Sequence, residues 1–387
     1  MYRIKLRHSL NFRRGSVVTR MRQCGYVFVL FLSAFLAQPC SAQPAAVAAP
    51  RPQALQRAAA GIDALQQWYD PATGLYKTTG WWNAGNATTT LVDFMRAGGS
   101  AQYAPVIANT FERAQATFPG FINDYYDDEG WWALAWIDSY DLTKDPRYLD
   151  MAESIFANMS GGWDSTCGGG IWWNKARTYK NAIANELFFS VAAHLASRAA
   201  PSSNGSAYGA WADKEWQWFQ HSGMINGLHL VNDGLAIDAS THDCTNNGKT
   251  TWSYNQGVIL GGLVERSAAT HDGTLLAAAR QIANAALIHL TDGQGVLHDS
   301  CEPNCGADGV QFKGVFMRNL GALRAVARNA FYASFIQTNA NSIWTNDQAP
   351  GSQFGVVWSG PPSSTGAGTQ SSALDALVAA IFVPPHP

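Results

Sequence analysis

The stretch GVILGGLV, residues 257–264, carries no charged or hydrogen-bonding side chain on any face, and ALVAAIF, residues 376–382, reads the same way. A helix that is apolar all round has no face to offer water and must be buried. Segments between such runs differ. ALQRAAAGIDALQQWY (54–69) and PRYLDMAESIFANM (146–159) have apolar residues at helical spacing but keep Arg, Gln, Asp or Glu on one side, as surface helices do. Twelve helical segments follow one another in this outer-then-inner order, and strand-like alternation is almost absent. The pattern predicts an all-α (α/α)6 toroid, or barrel, of six helical hairpins, although no internal sequence repeat accompanies it.

Connections support the same reading. The link from an inner to the next outer segment is short, as in KDP (144–146). Links from outer to inner segments are long: PGFINDYYDDEG (119–130), SGGWDSTCGGGIWWNKARTYK (160–180), INGLHLVNDGLAIDASTHDCTNNGKTT (225–251), DGQGVLHDSCEPNCGADGVQFK (292–313) and NDQAPGSQFGVVWSGPPSSTGAGTQ (346–370). In a hairpin toroid all of these fall on one rim, at the N-termini of the inner helices. Long loops in a compact domain usually carry function, so the site is expected there.

Composition narrows the class. Net charge is −2 and 14% of residues are charged, which gives no basic footprint for nucleic acid. Fifteen tryptophans, many in Gly- and Asn-rich loops, suit the apolar faces of sugars. Residues 1–42, a basic front followed by a short apolar run, read as a secretory signal. A Pro/Ala-rich leader (43–53) and a single catalytic domain (54–387) follow. The expected location is extracellular, or periplasmic in a Gram-negative bacterium. The last apolar run contains Asp375 and ends in VPPHP, so it reads as a core helix and not a membrane anchor. Cys24 and Cys40 leave with the signal. Cys167, Cys244, Cys301 and Cys305 read as disulfides in preference to zinc ligands, with three connectivities open. Sequons stand at Asn86, Asn158 and Asn204.

The chemistry centres on YYDDEGWW (125–132), three acids between pairs of large rings. Acids at a helix start can cap free N–H groups, and Glu129 is expected to serve that purpose. Asp127 and Asp128 are then left over, between Tyr125 and Tyr126 on one side and Trp131 and Trp132 on the other. One of these two tryptophans is expected in the core. Glycoside hydrolysis needs two carboxylates, about 5–5.5 Å apart for retention and farther for inversion. Neighbours in an extended loop can reach the shorter value. Further candidates for sugar contact are Trp172, Trp173, Tyr179, Asn181, Asn185 and Glu186, then Tyr254, Asn255 and Gln256. Lys313 is a further candidate for sugar contact, although it and Arg318 also suit holding loops or carboxylates. NDGLAID and DGQG lack the ligand spacing of a calcium loop, and neither a metal nor an organic cofactor is expected.

YYDDEGWWALAWIDSYDLTKDPRYLDMAESIF and GGWDSTCGGGIWWNKARTYKNAIANELFFSVAAHL closely resemble glycoside hydrolase family 76, the endo-α-1,6-mannanases; YNQGVILGGLVE and FKGVFMRNLGAL fall in the matching order. The resemblance covers roughly residues 54 to 382. It implies an (α/α)6 fold and a retaining hydrolase of α-1,6-linked mannan, with Asp127 as nucleophile and Asp128 as general acid/base. A monomer acting on mannan polysaccharide or oligosaccharide is expected. A transglycosidase using the same site, or a non-catalytic mannan-binding protein, are the alternatives.

Overall fold

The computed structural model describes residues 51–98, 101–199 and 205–383. The expected signal segment, the leader up to residue 50 and the sequon at Asn204 lie outside them. Residues 51–53, expected in the leader, instead form the first turn of a helix, where Pro52 is tolerated because that amide has no intrahelical partner. The described residues form twelve helices: α1 (Arg51–Gln66), α2 (Trp81–Arg96), α3 (Ala104–Arg113), α4 (Tyr126–Thr143), α5 (Pro146–Ser160), α6 (Ala182–Ala196), α7 (Gly205–Phe219), α8 (Ser253–Thr270), α9 (Gly273–His289), α10 (Phe312–Ala327), α11 (Ala330–Asn346) and α12 (Ala367–Ile381).

The even-numbered helices close into a ring. α2 packs on α4, α4 on α6, α6 on α8, α8 on α10, α10 on α12, and α12 back on α2. Around it, α5, α7 and α9 pack on α4, α6 and α8, while α1 and α11 pack on α12. All fifteen residues of α12 are buried, the polar Thr369, Gln370, Ser371, Ser372 and Asp375 together with the apolar run from Ala376 to Ile381. This is the (α/α)6 architecture that the alternating segments imply.

Three of the inner-to-outer links share one form. Lys144, His271 and Arg328 each end an inner helix in the left-handed conformation, and Asp145, Asp272 and Asn329 then cap the next outer helix. Their side chains accept from the amides of Arg147, Thr274 and Phe331 at 3.0, 2.8 and 2.8 Å. Lys144 and Arg328 also place a positive charge where it complements the helix dipole. The long links run over the other rim. They carry three short hairpins: β1 (Tyr69–Asp70) with β2 (Leu75–Tyr76), β3 (Leu235–Ile237) with β4 (Cys244–Asn246), and β5 (Gln348–Ala349) with β6 (Gln353–Phe354). Cys167 pairs with Cys244, joining the loops before α6 and α8, and Cys301 pairs with Cys305 in the loop before α10.

The inner helices meet nearly backbone to backbone. A Cβ added at Gly257 of α8 would lie 2.6 Å from the Phe316 Cα of α10, and one at Gly314 of α10 would lie 2.5 Å from the Ser372 Cα of α12. Gly273, at the exposed start of α9, has nothing within 4 Å of such a Cβ. Alanine normally gains up to about 1 kcal/mol over glycine inside a helix. Gly257→Ala and Gly314→Ala should nonetheless lose about 1–3 kcal/mol from overpacking, while Gly273→Ala stays within about 0.5 kcal/mol of the parent. Urea titration of the three variants measures this.

Candidate active site

Asp127 and Asp128 occupy the first turn of α4, not an extended loop as the sequence suggested. Helix geometry therefore points their side chains roughly 100° apart about the axis. The turn is fixed from outside: the Tyr126 amide donates to the Trp173 carbonyl (2.9 Å), and Tyr125 forms an antiparallel bridge with Asn174. This contact brings Trp173 over the helix start, where its indole N–H donates to Asp127 Oδ2 at 3.0 Å. Asp128 Oδ2 accepts from the Asn123 side chain at 2.7 Å, and Asn123 Oδ1 accepts from the Tyr125 amide at 2.8 Å.

Glu129 does not cap α4. It is fully buried and accepts from the Asn123 amide (3.2 Å) and the Asn158 side chain (2.5 Å), with Lys175 Nζ 3.0 Å away. Its carboxylate thus ties the loop before α4 to α5 and to the loop before α6. Satisfying three donors compensates an otherwise costly buried acid.

The two aspartates open into a cleft of about 520 Å³ at the N-termini of the inner helices, lined also by Trp82, Tyr125, Trp131, Trp173, Tyr179, Asn181, Asp233, Tyr254, Asp308 and Phe312. Four rings run across it in a near-parallel file: Trp82 to Trp131 (5.6 Å, 22°), Trp131 to Tyr254 (6.4 Å, 23°) and Tyr254 to Phe312 (3.7 Å, 13°). Tyr125 and Trp173 form a second group 4.9 Å apart. Aromatic donors also hold the remaining acids: the Tyr179 hydroxyl donates to Asp233 (2.6 Å) and the Trp82 indole to Asp308 (3.0 Å). The lining contains four carboxylates and no basic side chain. That field disfavours anionic ligands and suits neutral ones rich in hydroxyl donors.

Burial raises the pKa of both catalytic candidates. Asp127 is pushed well up by desolvation and then by the charge of Asp128, while the Trp173 N–H and the backbone amides of residues 127 and 128 act in the opposite direction. Desolvation takes Asp128 to about 7; the charges of Asp308 and Glu129 add to the rise and the Asn123 hydrogen bond opposes it. With both carboxyls raised by burial, the pair retains a proton near neutral pH.

Of the residues expected from the sequence, Asp127, Asp128, Tyr125, Trp131, Trp173, Tyr179, Asn181 and Tyr254 are brought together here. Others fall elsewhere. Trp132 is the core member of its pair, stacked on Trp136, and Tyr126 is also buried behind the cleft. Trp172 is turned to Asp164, to which it donates at 2.7 Å. Asn185 bonds both backbone groups of Ile171, and Gln256 does the same for Val231, so each amide anchors a loop. Glu186 and Asn255 are fully buried and outside the lining. Lys313, a candidate for sugar contact, is buried outside the lining and instead holds Glu302 (2.8 Å) and the Val356 carbonyl (2.7 Å), and Arg318 pairs with Asp375 (3.0 Å). Trp82, Asp233, Asp308 and Phe312 are additional lining residues. The signal for Trp82 was a repeat of the GWW motif, at 80–82 and 130–132, at the start of two inner helices.

The sequence matches glycosyl hydrolase family 76 over residues 55–385. A mannan endo-1,6-alpha-mannosidase of Candida albicans, DFG5, is 28% identical over 338 residues, covering 79% of this chain and 73% of that protein. The mannan endo-1,6-alpha-mannosidase DCW1 of Saccharomyces cerevisiae is also 28% identical, covering 77% and 71%. Among solved structures, an inactive variant of the α-1,6-mannanase GH76A of Salegentibacter sp. HEL1_6, in complex with α-1,6-mannotriose, superposes with a TM-score of 0.78 at 21% identity, over 85% of this chain and 99% of that one. Dfg5 from Chaetomium thermophilum, in complex with glucosamine, gives 0.75 at 22% identity, over 89% and 94%. With a match that runs from α1 to the end of α12, the chain belongs to glycosyl hydrolase family 76.

Proposed function

We propose that this protein is a secreted, retaining endo-α-1,6-mannanase whose nucleophile is Asp127 and whose general acid/base is Asp128. One observation carries the reading: two adjacent carboxylates share the first turn of α4, beside a file of rings, with unlike hydrogen-bond partners. The file of rings offers apolar faces for successive pyranose units. The curated relatives named as mannan endo-1,6-alpha-mannosidases support the substrate, and so does the mannotriose bound to the Salegentibacter enzyme. In that inactive variant two consecutive aspartates are replaced by asparagine, which supports the roles of the pair. The basic and apolar start of the chain supports secretion.

In the first step the Asp127 carboxylate forms a bond to the anomeric carbon. The glycosidic C–O bond breaks, its electron pair goes to the leaving oxygen, and Asp128 protonates that oxygen. In the second step Asp128 takes a proton from water, the water oxygen bonds to the same carbon, and the ester to Asp127 breaks. Two inversions leave the configuration retained.

Incubating linear α-1,6-mannan with the protein and following products by size and by NMR of the new reducing end tests this. Shorter α-configured products should form first. Asp127→Asn should abolish them, and Asp128→Asn should lower kcat by about 10²–10⁴-fold. Initial β-products, or full activity of Asp127→Asn, would overturn the assignment. Products longer than the substrate would point to a transglycosidase.

The pH dependence has a definite sign. Asp128 must hold a proton to act as acid, so kcat/KM should fall as pH rises through about 7. Removing the charge at position 308 eases ionisation of Asp128. Asp308→Asn should therefore move the alkaline limb to lower pH, by about one unit or less. Stability follows the same proton. The raised folded pKa means that Asp128 stabilises fully below about pH 4 and that this contribution is lost as pH rises through about 7. Between pH 5 and 8 the Tm of Asp128→Asn should accordingly fall less than that of the parent.

A further inference from the structure

We infer that Trp173 is a positioning residue that favours the ionised form of Asp127; this rests on the mannanase reading above. An indole nitrogen can only donate a hydrogen bond. Its 3.0 Å contact with Asp127 Oδ2 therefore requires that oxygen to accept, which an ionised carboxylate does best. The backbone amides of the first turn of α4 face the same carboxylate and favour negative charge there. Asp128 accepts from a different donor, the Asn123 side-chain amide at 2.7 Å, and the carboxylates of Asp308 and Glu129 disfavour its charge, as the charge of Asp128 does that of Asp127. Two side chains adjacent in sequence are thus made unequal by what surrounds them.

The placement of Trp173 is built, not incidental. Its amide donates to the Tyr179 carbonyl at 2.8 Å, and its own carbonyl accepts from the Tyr126 amide at 2.9 Å. The indole is therefore fixed between the loop before α6 and the start of α4. Tyr125 packs on one side at 4.9 Å and Tyr179 lies edge-on at 6.4 Å. The same ring lines the cleft. A sugar platform alone would need the ring but not its N–H, and this separates the two roles experimentally. In the second chemical step the ester bond to Asp127 breaks and its electron pair returns to the carboxylate. A donor already aimed at Oδ2 stabilises that charge as it forms.

The test compares Trp173→Phe, which keeps a ring and loses the donor, with Trp173→His, which can restore an N–H. On reduced α-1,6-mannooligosaccharides, Trp173→Phe should lower kcat about tenfold to a hundredfold, with KM changed about threefold or less. The acidic limb of its kcat/KM profile, which reports ionisation of Asp127, should move up by about one pH unit. Trp173→His should recover part of both effects. A ring that only packs against sugar would raise KM and leave the limb in place; either that result or parental kinetics in Trp173→Phe overturns the proposal. A second readout needs no turnover. In protein labelled with ¹⁵N-tryptophan, the Trp173 indole resonance, identified by its loss in Trp173→Phe, should titrate with pH in the parent and cease to titrate in Asp127→Ala. An indole signal indifferent to Asp127 would also overturn the proposal. Failure of the parent to cleave mannan would instead count against the mannanase reading, leaving the indole titration to decide the contact.

Discussion

Six helices can close a ring around one axis only if neighbours approach with little side-chain bulk between them. Gly257 against Phe316, and Gly314 against Ser372, allow that approach between α8, α10 and α12. Everything functional follows from the closure. A closed inner ring aims its N-termini at one rim, and the short Asx-capped turns keep the other rim free of long insertions. Loops from different parts of the chain then converge over one cleft. The disulfide between Cys167 and Cys244 links two of them, those that supply Trp173, Tyr179 and Asp233.

Within the cleft, aromatic side chains do two jobs with different parts of one group. Their faces make the ring file from Trp82 to Phe312. Their polar edges hold acids, with Trp173 on Asp127, Trp82 on Asp308 and Tyr179 on Asp233. This resolves the apparent conflict of carboxylates packed against large rings. Burial alone would force such acids to neutrality, whereas an indole or phenol donor supplies a hydrogen bond without adding a competing positive charge. Burial still leaves both catalytic candidates raised, with Asp128 near 7 and able to carry a proton close to neutral pH.

Much of this was legible before any coordinates. The all-apolar runs marked the inner helices, the loop lengths marked the functional rim, and the residue pair at 127–128 lay where both signals met. What escaped reading depended on contacts across the closed ring. Glu129 looked like a cap because three acids preceded a helix, but its partners Asn158 and Lys175 come from other segments. Asn185 and Gln256 looked like sugar-binding amides because they start inner helices; one turn inside the helix they face loop backbone instead. Asp233 and Asp308 are single acids in long loops, with no local periodicity to distinguish them. α2 starts at Trp81 in a glycine- and asparagine-rich stretch, where the Gly80 amide donates to the Asn83 side chain at 3.1 Å and closes a helical turn.

The central claim is that two neighbouring aspartates have unequal roles. The most direct measurement traps the covalent intermediate. The protein is incubated with a fluorinated α-mannosyl fluoride whose second step is slow, then digested and analysed by mass spectrometry. The account predicts a single glycosyl ester on Asp127, absent in Asp127→Ala and formed far more slowly after pretreatment with an unreactive α-1,6-mannooligosaccharide. An ester on Asp128, or turnover of the fluoride with inversion and no adduct, would contradict it.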